Sequence, residues 1–344
     1  MVEGGLANVC QIISGEISTG MQEIINNFPK QFEFAFEIKN AAQLKVVEKY
    51  IVMGMGGSHL PADILKIRNR HLPLYIHKNY GLPPLSPKEF ESSFLIAVSF
   101  SGNTEETIDF AKEALGRNYN LGVVTGGGKL LKIAEEARIP YIQIPNEGLE
   151  PRTALGYLTA GLAKFLDEDI FKELQQLPKK LKPESWEDKG RALSETLTGK
   201  VPVIYASDKN QGLAYVWKIK INETSKVPAF FNVFPELNHN ELAGFELKPE
   251  TEPLSKNFHF IFIDDPSDKP RIRKRINLTK EIYEEKGMQV TTLELQGETP
   301  FEKIFNSLLL SDWVSFYLSK KYNTDPISNE LVEKFKNKLT RIIS

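Results

Sequence analysis

The segment SFLIAVSFSGNTEET, at residues 93–107, gives the first indication of the fold class. Its first part, Phe94 to Phe100, is apolar on both faces apart from Ser99, which is typical of a strand buried in a parallel sheet. A helical pattern follows from Glu105 to Leu115. A buried strand that turns directly into a helix is the basic unit of an α/β protein.

The same alternation of strands and helices continues on both sides of this segment. Strands are predicted at 50–55, 74–77, 94–100, 121–125, 141–144, 201–206, 258–264 and 290–295, and helices at 7–27, 58–70, 105–115, 129–138, 153–166, 269–285, 300–321 and 327–342. A polar helical stretch with Pro178 and Pro183 separates the two halves. The pattern predicts an α/β protein of two doubly wound parallel-sheet domains, residues 1–170 and 185–344.

Composition and charge exclude several classes of protein. The 344 residues carry a net charge of −2, which argues against nucleic acid as a partner, and the basic run at 269–280 has the apolar spacing of an amphipathic surface helix. No apolar run is long enough for a membrane span, and no signal peptide is visible, so a cytoplasmic location is expected. The single cysteine, Cys10, excludes an intrachain disulfide and is expected to be a buried thiol.

The turn after the strand at 94–100 is a candidate phosphate site. Ser99, Ser101 and Thr104 cluster around Gly102 at the start of a helix, where unpaired N–H groups and the helix dipole favour a dianion. The alternative interpretation is a helix cap formed by Thr104 or Asn103. A cap explains one hydroxyl but not three clustered with a glycine.

A second glycine-rich turn, Gly54 to Ser58, follows the strand at 50–55. It fails the G-x-G-x-x-G pattern at His59, and the next strand ends without the acidic residue that holds a ribose hydroxyl. A nicotinamide cofactor is therefore not expected, and Gly57 and Ser58 are candidate sugar contacts. The third such turn, at 126–129, lacks the spacing of a P-loop and is interpreted as a flexible turn.

Three further residues could carry acid–base chemistry. Arg152, at the mouth of a predicted helix, offers a permanent charge that can stabilise an enediolate. Glu223 and His239 supply the carboxylate and the imidazole that proton transfer and ring opening of a sugar require. Without other evidence, a lone helical glutamate is expected on a solvated face, and a lone histidine is expected to be a turn or cap residue.

The histidines have no metal-ligand spacing. There are five of them, His59, His71, His77, His239 and His259, and none is spaced with acidic residues as metal ligands are. Neither a metal nor any other cofactor is expected.

Five motifs in sequence order resemble those of the bifunctional phosphoglucose/phosphomannose isomerases. They are GMGGS at 54–58, SFSGNTEET at 99–107, EPRTALGY at 150–157, NETSKVPAF at 222–230 and PELNHNEL at 235–242. The resemblance implies two sugar-isomerase (SIS) domains with a flavodoxin-like, Rossmann-like topology in three αβα layers. It also implies a metal-free homodimer that interconverts glucose 6-phosphate or mannose 6-phosphate with fructose 6-phosphate.

The resemblance also assigns roles to individual residues. Glu223 would move a proton between C1 and C2, Arg152 would stabilise the enediolate, and His239 would assist ring opening from the partner subunit. The substrate contacts would be Gly57 and Ser58, with Ser99, Ser101 and Thr104 on the phosphate.

The C-terminal helix carries the last expected site residue. Lys336 matches the family's lysine after an Asp-Pro turn, with Lys320 and Lys321 as rivals. Asn329 stands where the resemblance leads us to expect a threonine linked to mannose 6-phosphate. Two alternatives remain open: a sugar-phosphate-binding regulatory protein without catalysis, and an isomerase for another phosphosugar, such as an aminosugar phosphate or a phosphoheptose.

Overall fold

A computed structural model describes residues 20–45, 47–146 and 148–343. Cys10 and the first part of the helix predicted at 7–27 lie outside these residues. The first half of the chain forms a five-stranded sheet in the order β2-β1-β3-β4-β5, with every pair parallel. Its strands are β1 (Lys49–Met53), β2 (Leu74–His77), β3 (Ser93–Ser99), β4 (Leu121–Thr125) and β5 (Tyr141–Gln143).

The second half forms a four-stranded parallel sheet in the order β7-β6-β8-β9. Its strands are β6 (Val201–Ser207), β7 (Phe230–Phe234), β8 (Phe258–Asp264) and β9 (Gln289–Glu294). This order matches that of β2, β1, β3 and β4 in the other sheet. In each sheet the second strand lies on one side of the first strand and the later strands lie on the other, so the strand order reverses at the first strand. Such a reversal opens a crevice at the carboxyl ends of the strands, where ligands bind in this architecture.

Helices cover both sheets. They are α1 (20–27), α2 (Leu60–Arg68), α3 (Pro87–Glu91), α4 (Glu105–Gly116), α5 (Gly128–Glu136), α6 (Leu155–Leu166), α7 (Glu168–Leu174), α8 (Glu187–Leu197), α9 (Gln211–Ser225), α10 (Glu252–Ser255), α11 (Pro270–Glu285), α12 (Pro300–Lys321) and α13 (Glu330–Ile343). Within the described residues, no helix is both long and apolar enough to cross a bilayer. The parallel sheets and the helices packed against them confirm the predicted three-layer α/β fold.

One apolar cluster joins the two halves. It contains Val52 and Leu65 from the first half and Ile204, Trp217 and Trp313 from the second. Helix α9 packs against α2 as well as against α12, so the two sheets share a helical layer. The domain limits at 170 and 185 stay a prediction.

The sequence pattern predicts eight of the nine described strands but not β7, and the predicted helices do not include α9. This strand pairs only with β6, Asn232 interrupts its apolar pattern, and the Phe230 side chain is 55% exposed. Because Asn232 interrupts the segment, β7 lacks the continuous apolar run that predicts a buried strand. The basic run at 269–280 does form an amphipathic helix, α11, which buries Ile276 and Tyr283.

Candidate functional site

The hydroxyl cluster at 99–104 forms a compact turn at the end of β3. The Ser99 hydroxyl donates to Thr104 Oγ1 at 3.0 Å and accepts from the Gly102 N–H at 3.1 Å. Ser101 Oγ is exposed and accepts from the Asn103 N–H. Thr104 occupies the N-cap position of α4 but makes no capping hydrogen bond with its side chain. The capping interpretation of this turn is therefore wrong.

Gly102 determines the shape of this turn. Its φ angle is +65°, and a Cβ atom there would lie 1.7 Å from the Gly127 carbonyl oxygen. The turn after β4 packs against it, since the Gly126 and Leu130 N–H groups donate to the carbonyls of Phe100 and Gly102. The glycines at 126–128 thus support the hydroxyl turn rather than forming a separate site.

The first glycine-rich turn connects the hydroxyl turn to Arg152. Ser58 is buried, and its hydroxyl accepts from the Phe100 N–H at 3.1 Å. A Cβ atom on Gly57 would lie 2.7 Å from Pro151 Cβ, so only glycine allows the Pro151–Arg152 backbone to approach so closely. The structure therefore brings Gly57 and Ser58 between the hydroxyl turn and Arg152.

The side chain of Arg152 is 1% exposed and is held by groups from distant parts of the chain. Its Nε donates to Thr224 Oγ1 at 3.2 Å, and its Nη1 donates to Glu223 Oε2 at 3.2 Å. Its Nη2 donates to the carbonyls of Pro326 and Ile327, both at 2.8 Å. Four of the five guanidinium N–H groups thus have protein acceptors.

Glu223 lies in the last turn of α9, with its side chain 33% exposed. Besides Arg152, its Oε2 atom accepts from Asn329 Nδ2 at 3.3 Å. The carboxylate is thus oriented on one side by two donors and open to a ligand on the other. A solvated helix face does not describe this glutamate.

Lys226 links the end of α9 to Ser328 and Asn329, which precede α13, through hydrogen bonds. It caps α9 in the left-handed conformation, and its ammonium donates to the Glu223 and Ser328 carbonyls and to Asn329 Oδ1. Burial lowers the pKa of this lysine, and the nearby Arg152 guanidinium lowers it further. Asn329, which stands where a threonine was expected, therefore contacts both Lys226 and the Glu223 carboxylate.

A second carboxylate, that of Glu150, lies 3.7 Å from Arg152 Nη1. Burial raises its pKa, the Arg152 charge opposes this shift, and the Glu223 charge adds to it. One guanidinium nitrogen, Nη1 of Arg152, therefore lies near two carboxylates, those of Glu150 and Glu223.

Two predicted residues lie apart from this cluster. His239 is exposed, at the end of a short helical turn after β7, and has no described contact with Glu223 in the same chain. Lys336 is exposed on α13 and pairs with Glu333 at 2.6 Å, and its charge acts on Glu150. The rival lysines on α12 contact other groups: Lys320 lies over the Phe316 ring, and Lys321 pairs with Glu195.

The sequence motifs assign no role to Lys220 and Asp312. Lys220 Nζ donates to Asp312 Oδ1 at 2.5 Å and to the Arg152 carbonyl at 3.3 Å, directly behind the site. A charged residue between Ile219 and Ile221 was the available signal, because charges inside an apolar run are rarely buried without a partner. In the described part of the chain, no group of three or more histidine, cysteine, aspartate or glutamate side chains is arranged to hold a metal.

Comparison with known proteins identifies the family. A model of the bacterial phospho-glucose isomerase C-terminal SIS domain matches residues 187–339. Bifunctional phosphoglucose/phosphomannose isomerases from Caldicellulosiruptor bescii and Aquifex aeolicus are 33% and 31% identical to this chain. These matches cover 94% and 93% of the chain, and 99% and 98% of the relatives. The chain belongs to the bifunctional phosphoglucose/phosphomannose isomerase family. It is an isomerase.

The chain is also similar to an epimerase and shares its fold with more distant proteins. A D-glucosamine-6-phosphate 4-epimerase from Sulfolobus acidocaldarius is 31% identical over 72% of this chain and 78% of its own length. A hypothetical protein from Thermus thermophilus aligns with a TM-score of 0.71 at 17% identity, covering 98% of this chain and 95% of its own. A tagatose-6-phosphate ketose/aldose isomerase from Escherichia coli gives 0.64 at 14%, covering 89% and 94%. At these identities the structural matches show the fold alone.

Proposed function

We propose that this isomerase interconverts glucose 6-phosphate or mannose 6-phosphate with fructose 6-phosphate through an enediol and without a metal. The observation that carries the proposal is the contact of Glu223 with Arg152. Gly57 and Ser58 link this pair to an uncapped helix start lined with hydroxyls. The names of the full-length relatives support the choice of hexose phosphates.

The phosphate would lie at the start of α4. Because Thr104 does not cap the helix, N–H groups of its first turn are free to receive an anion, and the helix dipole favours negative charge there. Ser99, Ser101 and Thr104 would add hydroxyl donors. Gly57 and Ser58, which lie between this turn and Arg152, would then contact the sugar.

Glu223 would act as the base. Its open side would accept the proton from C2 of the aldose and return it to C1, while the hydroxyl proton moves between the two oxygens. Arg152 would stabilise the negative charge of the enediolate through its own positive charge, which lies beside Glu223. It would not do so mainly through hydrogen bonds, since four of its five N–H groups already have protein acceptors. A general base of this kind contributes about 10²–10⁴-fold in rate.

Ring opening would require groups beyond this cluster. We propose that His239 is one of these groups and comes from a second copy of the chain, because it is exposed and has no described contact with Glu223 of its own chain. Lys336, whose charge reaches Glu150, would approach the sugar from α13. The active form would then be a homodimer.

Changing Glu223 tests the proposal directly. Glu223→Gln keeps the shape of the side chain and removes the base, so hexose phosphate should still bind while deuterium uptake from D₂O at C1 and C2 falls by at least about 10²-fold. NMR of the sugar measures the exchange. Glu285→Gln, an exposed change in α11, is the control and should behave as the wild type.

Two alternative functions predict different results for the wild-type protein. Binding without any turnover by the wild type would support a regulatory protein. Inversion at C4 of glucosamine 6-phosphate, with no exchange between C1 and C2, would support the activity named for the Sulfolobus relative. A loss of turnover in EDTA that zinc restores would contradict the metal-free mechanism, and full exchange by Glu223→Gln would remove Glu223 from the base role.

A further inference from the structure

The buried pair of Lys220 and Asp312 lies directly behind the proposed site. The two side chains are 1% and 8% exposed, and they join α9 to α12. Burial lowers the pKa of Lys220 and raises that of Asp312, and each partner's charge opposes the shift of the other. The pair is therefore held together in a part of the protein that disfavours both charges.

Stability alone does not explain such a pair. Replacing a buried ion pair with apolar side chains of similar volume is often neutral or stabilising, because both charges no longer have to lose their water. The neighbours Trp217, Ile221 and Trp313 are fully buried, so apolar side chains would suit these positions. The charges need another reason.

The contacts of Arg152 supply that reason. Lys220 Nζ donates to the Arg152 carbonyl at 3.3 Å, while Thr224 and Glu223, one turn further along α9, accept from its guanidinium at 3.2 Å. Helix α9 thus contacts both the main chain and the side chain of Arg152. Asp312 is the group that fixes the Lys220 ammonium in the position needed for the first of these contacts.

We infer that Lys220 and Asp312 are positioning residues, which act through Arg152 to hold its guanidinium against the Glu223 carboxylate. This inference rests on the proposed function. A small displacement of Arg152 would lengthen its contact with Glu223 and weaken the stabilisation of the enediolate. Substrate binding at the hydroxyl turn would be unchanged. The loss should therefore appear in kcat and not in KM.

A double-mutant cycle tests the inference. Lys220→Met/Asp312→Leu removes both charges together, and kcat should fall about tenfold with KM within about twofold of the wild type. Arg152→Ala alone should lower kcat by about 10²–10³-fold. If the pair acts through Arg152, combining the changes should cost no more than Arg152→Ala alone, since coupled residues are not additive. Asp312→Asn is the milder second variant and should show the same non-additivity.

The control is an ion pair elsewhere in the protein. Arg68→Met/Glu173→Leu removes a pair 2.9 Å apart between α2 and α7, and it should leave kcat unchanged and combine additively with Arg152→Ala. Thermal melting of every variant separates positioning from general destabilisation. Wild-type kcat in Lys220→Met/Asp312→Leu, or full additivity with Arg152→Ala for both variants, would overturn the inference. If instead Glu223→Gln stays active, the proposed function itself fails.

Discussion

The guanidinium of Arg152 is surrounded by groups from separate stretches of the chain. Glu150 precedes it, Glu223 and Thr224 come from α9, and two carbonyls come from the segment after α12. Such a buried charge is tolerated because carboxylates and carbonyls surround it on several sides. Its partners are fixed in turn, so the orientation of Glu223 depends on long-range contacts rather than on its own helix.

The raised pKa of Glu150 predicts how stability depends on pH. Because burial places its pKa in the folded protein above the ordinary value, its contribution is fully favourable in acid and is lost as the pH rises through the folded pKa. Glu150→Gln should therefore raise Tm near pH 7, and the gain should vanish in acid, where the glutamate is protonated in both the folded and the unfolded chain. Melting curves across this range measure it.

An exposed glutamate is the control for this prediction. Glu285→Gln on α11 should leave Tm unchanged at both pH values. A gain for Glu150→Gln that is largest in acid would have the wrong sign and would contradict the burial argument.

At the scale of elements, the site depends on how three turns fit together at the carboxyl edge of the first sheet. The turns after β1, β3 and β4 contact one another through Ser58, Gly102 and Gly127. The start of α4 is left uncapped as a result, because the Thr104 side chain faces Ser99 rather than its own helix.

Gly102 is the most sensitive position of this assembly. Gly102→Ala places a methyl group 1.7 Å from the Gly127 carbonyl at a φ of +65°, so the two turns must separate. We expect a loss of stability of about 1–3 kcal/mol and a clear rise in KM for hexose phosphate. Denaturant unfolding and steady-state kinetics measure the two effects.

Helix α4 provides a matched glycine. Gly116 lies at its other end, where a methyl group on its Cα would meet nothing within 4 Å, and its φ is not positive. Gly116→Ala should therefore be neutral or slightly stabilising, with an unchanged KM. Equal effects of the two substitutions would mean that the shape of the hydroxyl turn does not matter.

At the scale of the whole molecule, the shared helical layer brings Glu223 of the second half next to Arg152 of the first. It does not bring His239 there, since that residue lies beyond the edge strand β7 and is exposed. A site that uses both Glu223 and His239 would therefore combine residues from two copies.

Mixing two inactive variants tests this arrangement. If His239 serves the partner's Glu223, a mixed dimer of Glu223→Gln and His239→Asn contains one intact site. When the two variants are unfolded and refolded together, half of the dimers should be mixed, and each mixed dimer should have one intact site out of two. About a quarter of the wild-type activity should therefore return. If both residues act within one chain, no activity will return.

Each variant refolded alone is the control for the mixture and should stay inactive. Sizing by light scattering in the same samples should show dimers. A purely monomeric protein with full activity would contradict the shared site.

The sequence by itself determined the class of fold and the hydroxyl turn at 99–104. Buried strands and amphipathic helices have short periods, and a glycine with small hydroxyls at a strand end is a local pattern, so both are visible without a structure. The edge strand β7 was missed because the polar Asn232 breaks its apolar run.

Only the tertiary structure decided what surrounds Arg152. Glu223 lies 71 residues away in sequence and the Pro326 carbonyl 174, while Lys220 and Asp312 are 92 apart. No local periodicity encodes such distances, since they follow from how α9 and α12 pack against the first half. The sequence also does not show that His239 is exposed, since this residue follows β7, which lies at the edge of its sheet.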